Sequence, residues 1–196
     1  MCGRYALDAD IDELIERYKA IIAEREISGS KEIYPTNTQA IVVDRDQREI
    51  RSAVWGFSPH YAKRPLINAR GETVHQKPTF SKAFFTSRCI VPATSFFEWE
   101  KSEDGKIKRR ISLEGQRIFS MAGLVSMFKD KEGKTFEAYT IITISANDQM
   151  DHIHDRMPVI LKPEDEDAWL NTSNANLDQL KGLLVPTGQK LNIMQT

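Results

Sequence analysis

The chain has 196 residues, 40% of them hydrophobic and 28% charged, with a formal net charge of -1. That composition excludes a disordered tail, a collagen-like rod and a disulfide-dense mini-protein, and the length allows a buried core without cross-links. Bulk charge draws the protein neither to nucleic acid nor to membrane, so a polyanion site must be a local arrangement of Arg and Lys.

Two cysteines, Cys2 and Cys89, are too few for a secreted disulfide framework. No apolar run approaches the ~20 residues of a membrane helix. The opening Met-Cys-Gly-Arg-Tyr-Ala lacks the apolar core of a secretory signal. The expectation is a cytoplasmic protein with reduced thiols, nucleoid-associated if it meets DNA. No repeat, low-complexity block or Pro/Gly/Ser-rich linker interrupts residues 1–196, which read as a single domain.

Residues 10–26 read as an amphipathic helix, with Ile11, Leu14, Ile15, Tyr18, Ile21 and Ile22 on one face and Asp8 or Asp10 as its cap. Strands are expected at 39–44, 51–57, 89–92 and 94–100. Three acid-glycine turns follow: Asp104-Gly105, Glu114-Gly115 and Glu132-Gly133. They separate strand-like runs at 107–113, 117–126 and 136–145, the signature of an antiparallel meander. A short strand at 158–161 comes next. Helices follow at 165–170 and 174–180, with Gly182 placed to end the second. The fold class is therefore α+β, with a curved, mainly antiparallel sheet or partial barrel flanked by short helices.

Cys2 carries the most chemical information. Processing that removes Met1 before a small residue leaves a free α-amine beside the thiol. That amine has a reference pKa of ~7.7–8.0, against ~10.4 for lysine, so a useful fraction is neutral near pH 7. The amine can condense with an aldehyde, and the thiol can then close a five-membered thiazolidine. Gly3 lets a ligand approach the backbone closely. On this residue alone a chance cysteine stays open. So does an N-terminal-nucleophile amidotransferase, whose Met-Cys-Gly start is shared. Against the latter, Arg4-Tyr5-Ala6 replaces the usual aliphatic and glycine-rich continuation, and the chain has no Asn-Gly pair for an oxyanion hole.

Three clusters add polar chemistry, each with a bland counterpart. In Asn68-Ala69-Arg70-Gly71-Glu72, the amide can hold a hydroxyl or an amine and Arg70 can grip a phosphate. The alternative is a helix cap beside a solvated arginine. In Ser95-Phe96-Phe97-Glu98-Trp99-Glu100, alternation puts Glu98 on the face of Phe96, where desolvation would raise its pKa and suit it to proton transfer. The alternative is a wet edge strand. In 151–158, His152, His154 and Arg156 fall before a strand expected to start at Pro158, where a histidine can shuttle protons or simply hydrogen-bond locally. Zinc held by His152 and His154 with Cys2 or Cys89 finds no supporting spacing. Cys89 reads as a buried strand residue, and Trp55 as core or nucleic-acid contact.

Seven ordered pieces make the chain resemble the SOS response-associated peptidase family. They are Cys2-Gly3-Arg4-Tyr5, Tyr34-Pro35-Thr36, Trp55-Gly56-Phe57-Ser58-Pro59, Asn68-Ala69-Arg70, Arg88-Cys89-Ile90-Val91-Pro92-Ala93, Phe96-Phe97-Glu98-Trp99 and His154-Asp155-Arg156-Met157-Pro158. Tyr61 and Phe97 depart from the residues common at those places. The resemblance implies a sensor of abasic sites in single-stranded DNA, acting without cofactor or metal and as a monomer. Carried over by residue, Cys2 forms the thiazolidine with the abasic aldehyde after self-removal of Met1. Asn68 orients the amine and the opened sugar, Glu98 shuttles protons, and His154 assists ring opening and the Schiff-base stage. Arg4, Arg70 and Arg156 would bind flanking phosphates, Trp99 would stack on a base and Thr143 would touch the backbone. Abasic-site lyase activity is a further expectation of the resemblance. A plain amidase or cysteine protease, and a non-covalent single-strand binder, are the competing readings.

Overall fold

The computed structural model describes residues 2–23 and 28–196. The first half contains β1 (Tyr5–Leu7), α1 (Ile11–Tyr18), β2 (Ile21–Ile22), β3 (Ser30–Ile33), β4 (Thr38–Asp44), β5 (Arg48–Trp55), β6 (Asn68–Arg70), α2 (Pro78–Thr86) and β7 (Arg88–Ala93). The second half contains β8 (Ser95–Ser102), β9 (Gly105–Leu113), β10 (Phe119–Lys129), β11 (Thr135–Ser145), β12 (Arg156–Pro158) and β13 (Ile160–Leu161). A 3-10 turn at Pro163–Asp165, α3 (Glu166–Leu170), α4 (Leu177–Leu183) and β14 (Leu191–Gln195) complete it.

These strands form two sheets. One runs β14-β9-β8-β1-β3, and the other β12-β11-β10-β7-β4-β5-β2. The second closes on itself, because β11 also pairs in parallel with β5 through Ala138–Val54 and Tyr139–Trp55. The ring β5-β4-β7-β10-β11 is a five-stranded barrel, and closure protects strands that would otherwise offer open edges. The fold is thus α+β with a curved, mainly antiparallel sheet and short helices at its margins. Among the described residues, parallel pairing is confined to β2–β5, β5–β11 and β6–β11. Val42, Trp55, Ile90, Phe119, Met121, Tyr139 and Ile141 are fully buried among the barrel strands.

Four expectations need correction. The helix begins as expected, with Asp10 and Glu13 forming a reciprocal capping box. It stops at Tyr18, because Lys19 adopts a left-handed conformation at φ 50° and sends Ile21–Ile22 into strand pairing with β5. Residues 24–26 of the expected helix lie outside the described residues. The meander holds at Asp104-Gly105 and Glu132-Gly133, which turn β8 into β9 and β10 into β11. It fails at Glu114-Gly115, where the chain leaves one sheet for the other and β9 takes β14 as its second neighbour. Gly182 lies inside α4, which ends at Leu183. Finally, strand pairing starts at Arg156, opposite Ser145, so that arginine is a strand residue rather than part of the preceding loop.

Candidate active site and nucleic-acid interface

β1 is wedged between β3 and β8, with Tyr5 opposite Phe96. The Phe97 N–H donates to the Arg4 carbonyl at 2.9 Å, so the residues before β1 run beside Glu98. Cys2 is fully buried there, and its thiol donates to the Arg4 carbonyl at 3.9 Å. Burial, reinforced by the negative charge of Glu98, pushes the thiol pKa far up, so sulfur stays protonated in the closed site. Tyr5 anchors the segment. Its hydroxyl meets that of Tyr139 at 2.6 Å, and its ring stands edge-on to Trp55 at 5.1 Å.

Glu98 is 3% exposed, on the Phe96 face of β8. Loss of hydration raises its carboxyl to about 7, where it exchanges a proton readily near neutrality. His154 Nε2 lies 4.0 Å from Glu98 Oε2. The loop carrying His154 is pinned by buried Met150 and Ile153 and closed by the Ala146 N–H donating to the Asp155 carbonyl. Two groups compete for Nδ1 of His154: the Arg156 backbone N–H at 3.0 Å, which needs a lone pair, and Asp155 Oδ1 at 2.8 Å, which needs a proton. The backbone is fixed whereas the Asp155 side chain is 85% exposed, so the neutral ring with its proton on Nε2 is favoured. Burial also lowers the His154 pKa. Glu98 and His154 line an open cleft of about 590 Å³ with Trp99, Lys101, Lys106 and His152.

Asn68 lies on β6, in parallel register with Ile141. It is a strand residue, not a helix cap. The Ile67 carbonyl before it accepts from Trp55 Nε1 at 3.0 Å, tying β6 to the Tyr5–Trp55–Tyr139 cluster. Both polar atoms of the Asn68 amide are buried without a hydrogen-bond partner among the described residues. A buried unsatisfied amide costs of the order of 1–3 kcal/mol, which a ligand's hydroxyl or amine would recover.

The expected DNA contacts divide. Arg70 is exposed. Arg4 bonds Glu32 at 2.7 Å and lies over Tyr34 and Trp99, at 3.6 and 5.5 Å from the ring centroids. Arg156 makes a bidentate pair with Glu72, at 2.5 and 2.9 Å, and donates to the Thr143 carbonyl at 2.7 Å. Thr143, the expected contact to the DNA backbone, is 0% exposed, and its carbonyl accepts from Arg156 and from the Gly71 N–H. Trp55 and Cys89 are core residues. Sequence reasoning passed over Tyr34, Glu32, Glu72 and Lys108 as members of these ion and ring contacts. The alternating Lys106-x-Lys108-x-Arg110 run was a readable signal for the last.

The fold and site define a class. Residues 1–196 match the family model described as SOS response associated peptidase (SRAP), and the chain belongs to that family. It is 39% identical over 95% of its length to Abasic site processing protein YoqW of Bacillus subtilis, covering 87% of that protein. It is 32% identical over 87% of its length to YedK of Escherichia coli, which bears the same description, covering 79% of that protein. A crystal structure of a Bacteroides thetaiotaomicron protein aligns with TM-score 0.88 at 27% identity, over 99% of this chain and 91% of that one.

Proposed function

We propose that this protein processes abasic sites in single-stranded DNA by capturing them covalently through Cys2. The relatives' descriptions support the lesion as substrate. The observation that carries the reading is the convergence of a buried Cys2 thiol, a carboxyl raised to about 7 and a neutral imidazole 4.0 Å from it.

Hydrolysis of the Met1–Cys2 peptide bond, with Glu98 moving the proton of the attacking water, frees the amine. The amine nitrogen then adds to C1′ of the opened deoxyribose. Glu98 and His154 return a proton to the former carbonyl oxygen, which leaves as water and gives an imine. The thiol adds to the imine carbon, its proton passes to Glu98 and the nitrogen is reprotonated, closing a thiazolidine. No electrons enter or leave, so no redox cofactor is needed. A thiol that stays protonated until the imine forms favours this order of events. In a lyase branch the open imine loses a C2′ proton and expels the 3′ phosphate. Asn68 would hold the opened sugar. Arg70 would bind phosphate directly, and Arg4 and Arg156 by exchanging Glu32 and Glu72 for it. Trp99 would stack on a neighbouring base. The protein would act as a monomer in the cytoplasm, at the nucleoid when DNA-bound.

The test is incubation with a single-stranded oligonucleotide bearing one abasic site, beside its undamaged counterpart. A denaturation-resistant adduct, formed only with the lesion and only by chains lacking Met1, is expected. Equal reversible retention of both strands, or glutamine turnover without adduct, would overturn the reading.

A further inference from the structure

We infer that the outer face of the five-stranded sheet is a track for the DNA strand flanking the lesion, with Lys108 and Arg110 as phosphate-binding residues and Glu32 as the counter-ion that the strand displaces. The inference rests on the proposed reading that the cleft accepts DNA.

Alternation puts Lys106, Lys108 and Arg110 on one face of β9, about 7 Å from one to the next. Their partners on β8 are Lys101, Trp99 and Phe97. Arg4 and Tyr34, just outside the ends of β1 and β3, join this surface: the Arg4 guanidinium lies over both the Tyr34 and Trp99 rings and shares Glu32 with Lys108. Cations therefore concentrate on one surface of a chain whose net charge is -1. They are interleaved with rings, of which Tyr34 is 45% exposed. This is the composition that single-strand sites use: phosphates on cations, bases on aromatic faces.

The surface connects two hollows. Lys101 and Lys106 line the cleft of Glu98 and His154. At the other end Arg110 lines a second groove of about 460 Å³ with Ser112, Arg117 and Met194. Lys108 lies between them, its ammonium 4.5 Å from the Phe97 ring. Glu32 Oε1 accepts from both Arg4, at 2.7 Å, and Lys108, at 2.5 Å. One carboxylate oxygen shared by a guanidinium and an ammonium occupies the place a phosphate oxygen would take. A part-exposed ion pair of this kind is weak and screened by salt, so a polyanion can displace it.

The experiment measures equilibrium binding of undamaged single strands from about 4 to about 16 nucleotides, the range such sites cover, across a salt series. Wild type should gain affinity with length. K108A/R110A should lose that gain, and its log–log salt slope should be shallower by about 1.4, from about 0.7 per phosphate. K108R/R110K, which keeps the charges, should restore the slope, and E32Q should bind the undamaged strand several-fold more tightly. A slope and length dependence in K108A/R110A equal to wild type, or weaker binding by E32Q, overturns the track. That failure leaves the active-site reading standing if wild type still forms the abasic adduct; loss of the adduct in wild type itself removes the reading on which the track rests.

Discussion

Two regions of this molecule each bury a cysteine and a glutamate, and treat them differently. Around β7 and α3, Glu166 takes two hydrogen bonds from Arg17, at 2.5 and 3.1 Å, and one from Ser120 at 2.6 Å. Arg88 nearby donates to the carbonyls of Phe84, Trp169, Asn171 and Asn174. Cys89 is packed so closely against Gly123 that a Cβ there would come within 2.9 Å of its sulfur. Around β1 and β8, Glu98 faces an imidazole rather than a guanidinium, its proton affinity is raised, and Asn68 keeps a buried amide without a partner among the described residues. A buried acid clasped by arginine is a strut. A buried acid that gains and loses a proton near neutrality is placed to act as a reagent, which is the role proposed for Glu98.

The sharpest way to break this comparison is to exchange the roles of the two cysteines. Cys2→Ala should abolish the denaturation-resistant adduct in a gel assay. Cys89→Ala should keep it and lower unfolding free energy by about 1 kcal/mol in urea titration. An adduct surviving in Cys2→Ala would discard the assignment. The glutamates come next. Glu98→Gln and His154→Ala should each slow adduct formation about 100-fold in time courses, the lower range for general acid–base groups. Glu166→Gln should instead cost about 3 kcal/mol of stability, because it breaks a buried pair.

A pH series separates the two glutamates further. The Glu98 carboxyl titrates near 7 in the folded protein against an ordinary 4.5. The folded state therefore binds more protons between those values, and stability falls as pH rises through that window. Glu98→Gln should remove the fall, leaving the variant more stable than wild type at pH 8 by up to about 3 kcal/mol. Unchanged melting curves across pH would refute a raised carboxyl. The smallest effect is expected for His152→Ala, which alters an exposed side chain at the cleft rim and should leave adduct kinetics near wild type.

What could be read from the sequence followed from locality. Asp104-Gly105 and Glu132-Gly133 turn the chain within a few residues, and both hairpins appear where alternation placed them. The third acid-glycine turn has the same local chemistry, yet β9 turns to β14, a choice made by strands distant in sequence. The stop at Lys19 was hidden because a lysine rather than a glycine takes the left-handed position. Barrel closure rests on two residue pairs between β5 and β11 and leaves no pattern in either strand. At the candidate site, Glu98's burial was legible from its place beside Phe96. The partners of Arg4 and Arg156 were not, because Glu32 and Glu72 reach them only through the fold. The engagement of the Thr143 carbonyl by Arg156 and Gly71 was hidden for the same reason.

The placement of β1 sets a timetable for synthesis. β1 is an interior strand of its sheet, and Tyr5 finds Phe96 only after the ninety residues between them have been made. Until then the sulfur of residue 2 has neither its pocket nor its acid. The surroundings of Cys2 therefore depend on long-range pairing and arrive only with the completed tertiary structure.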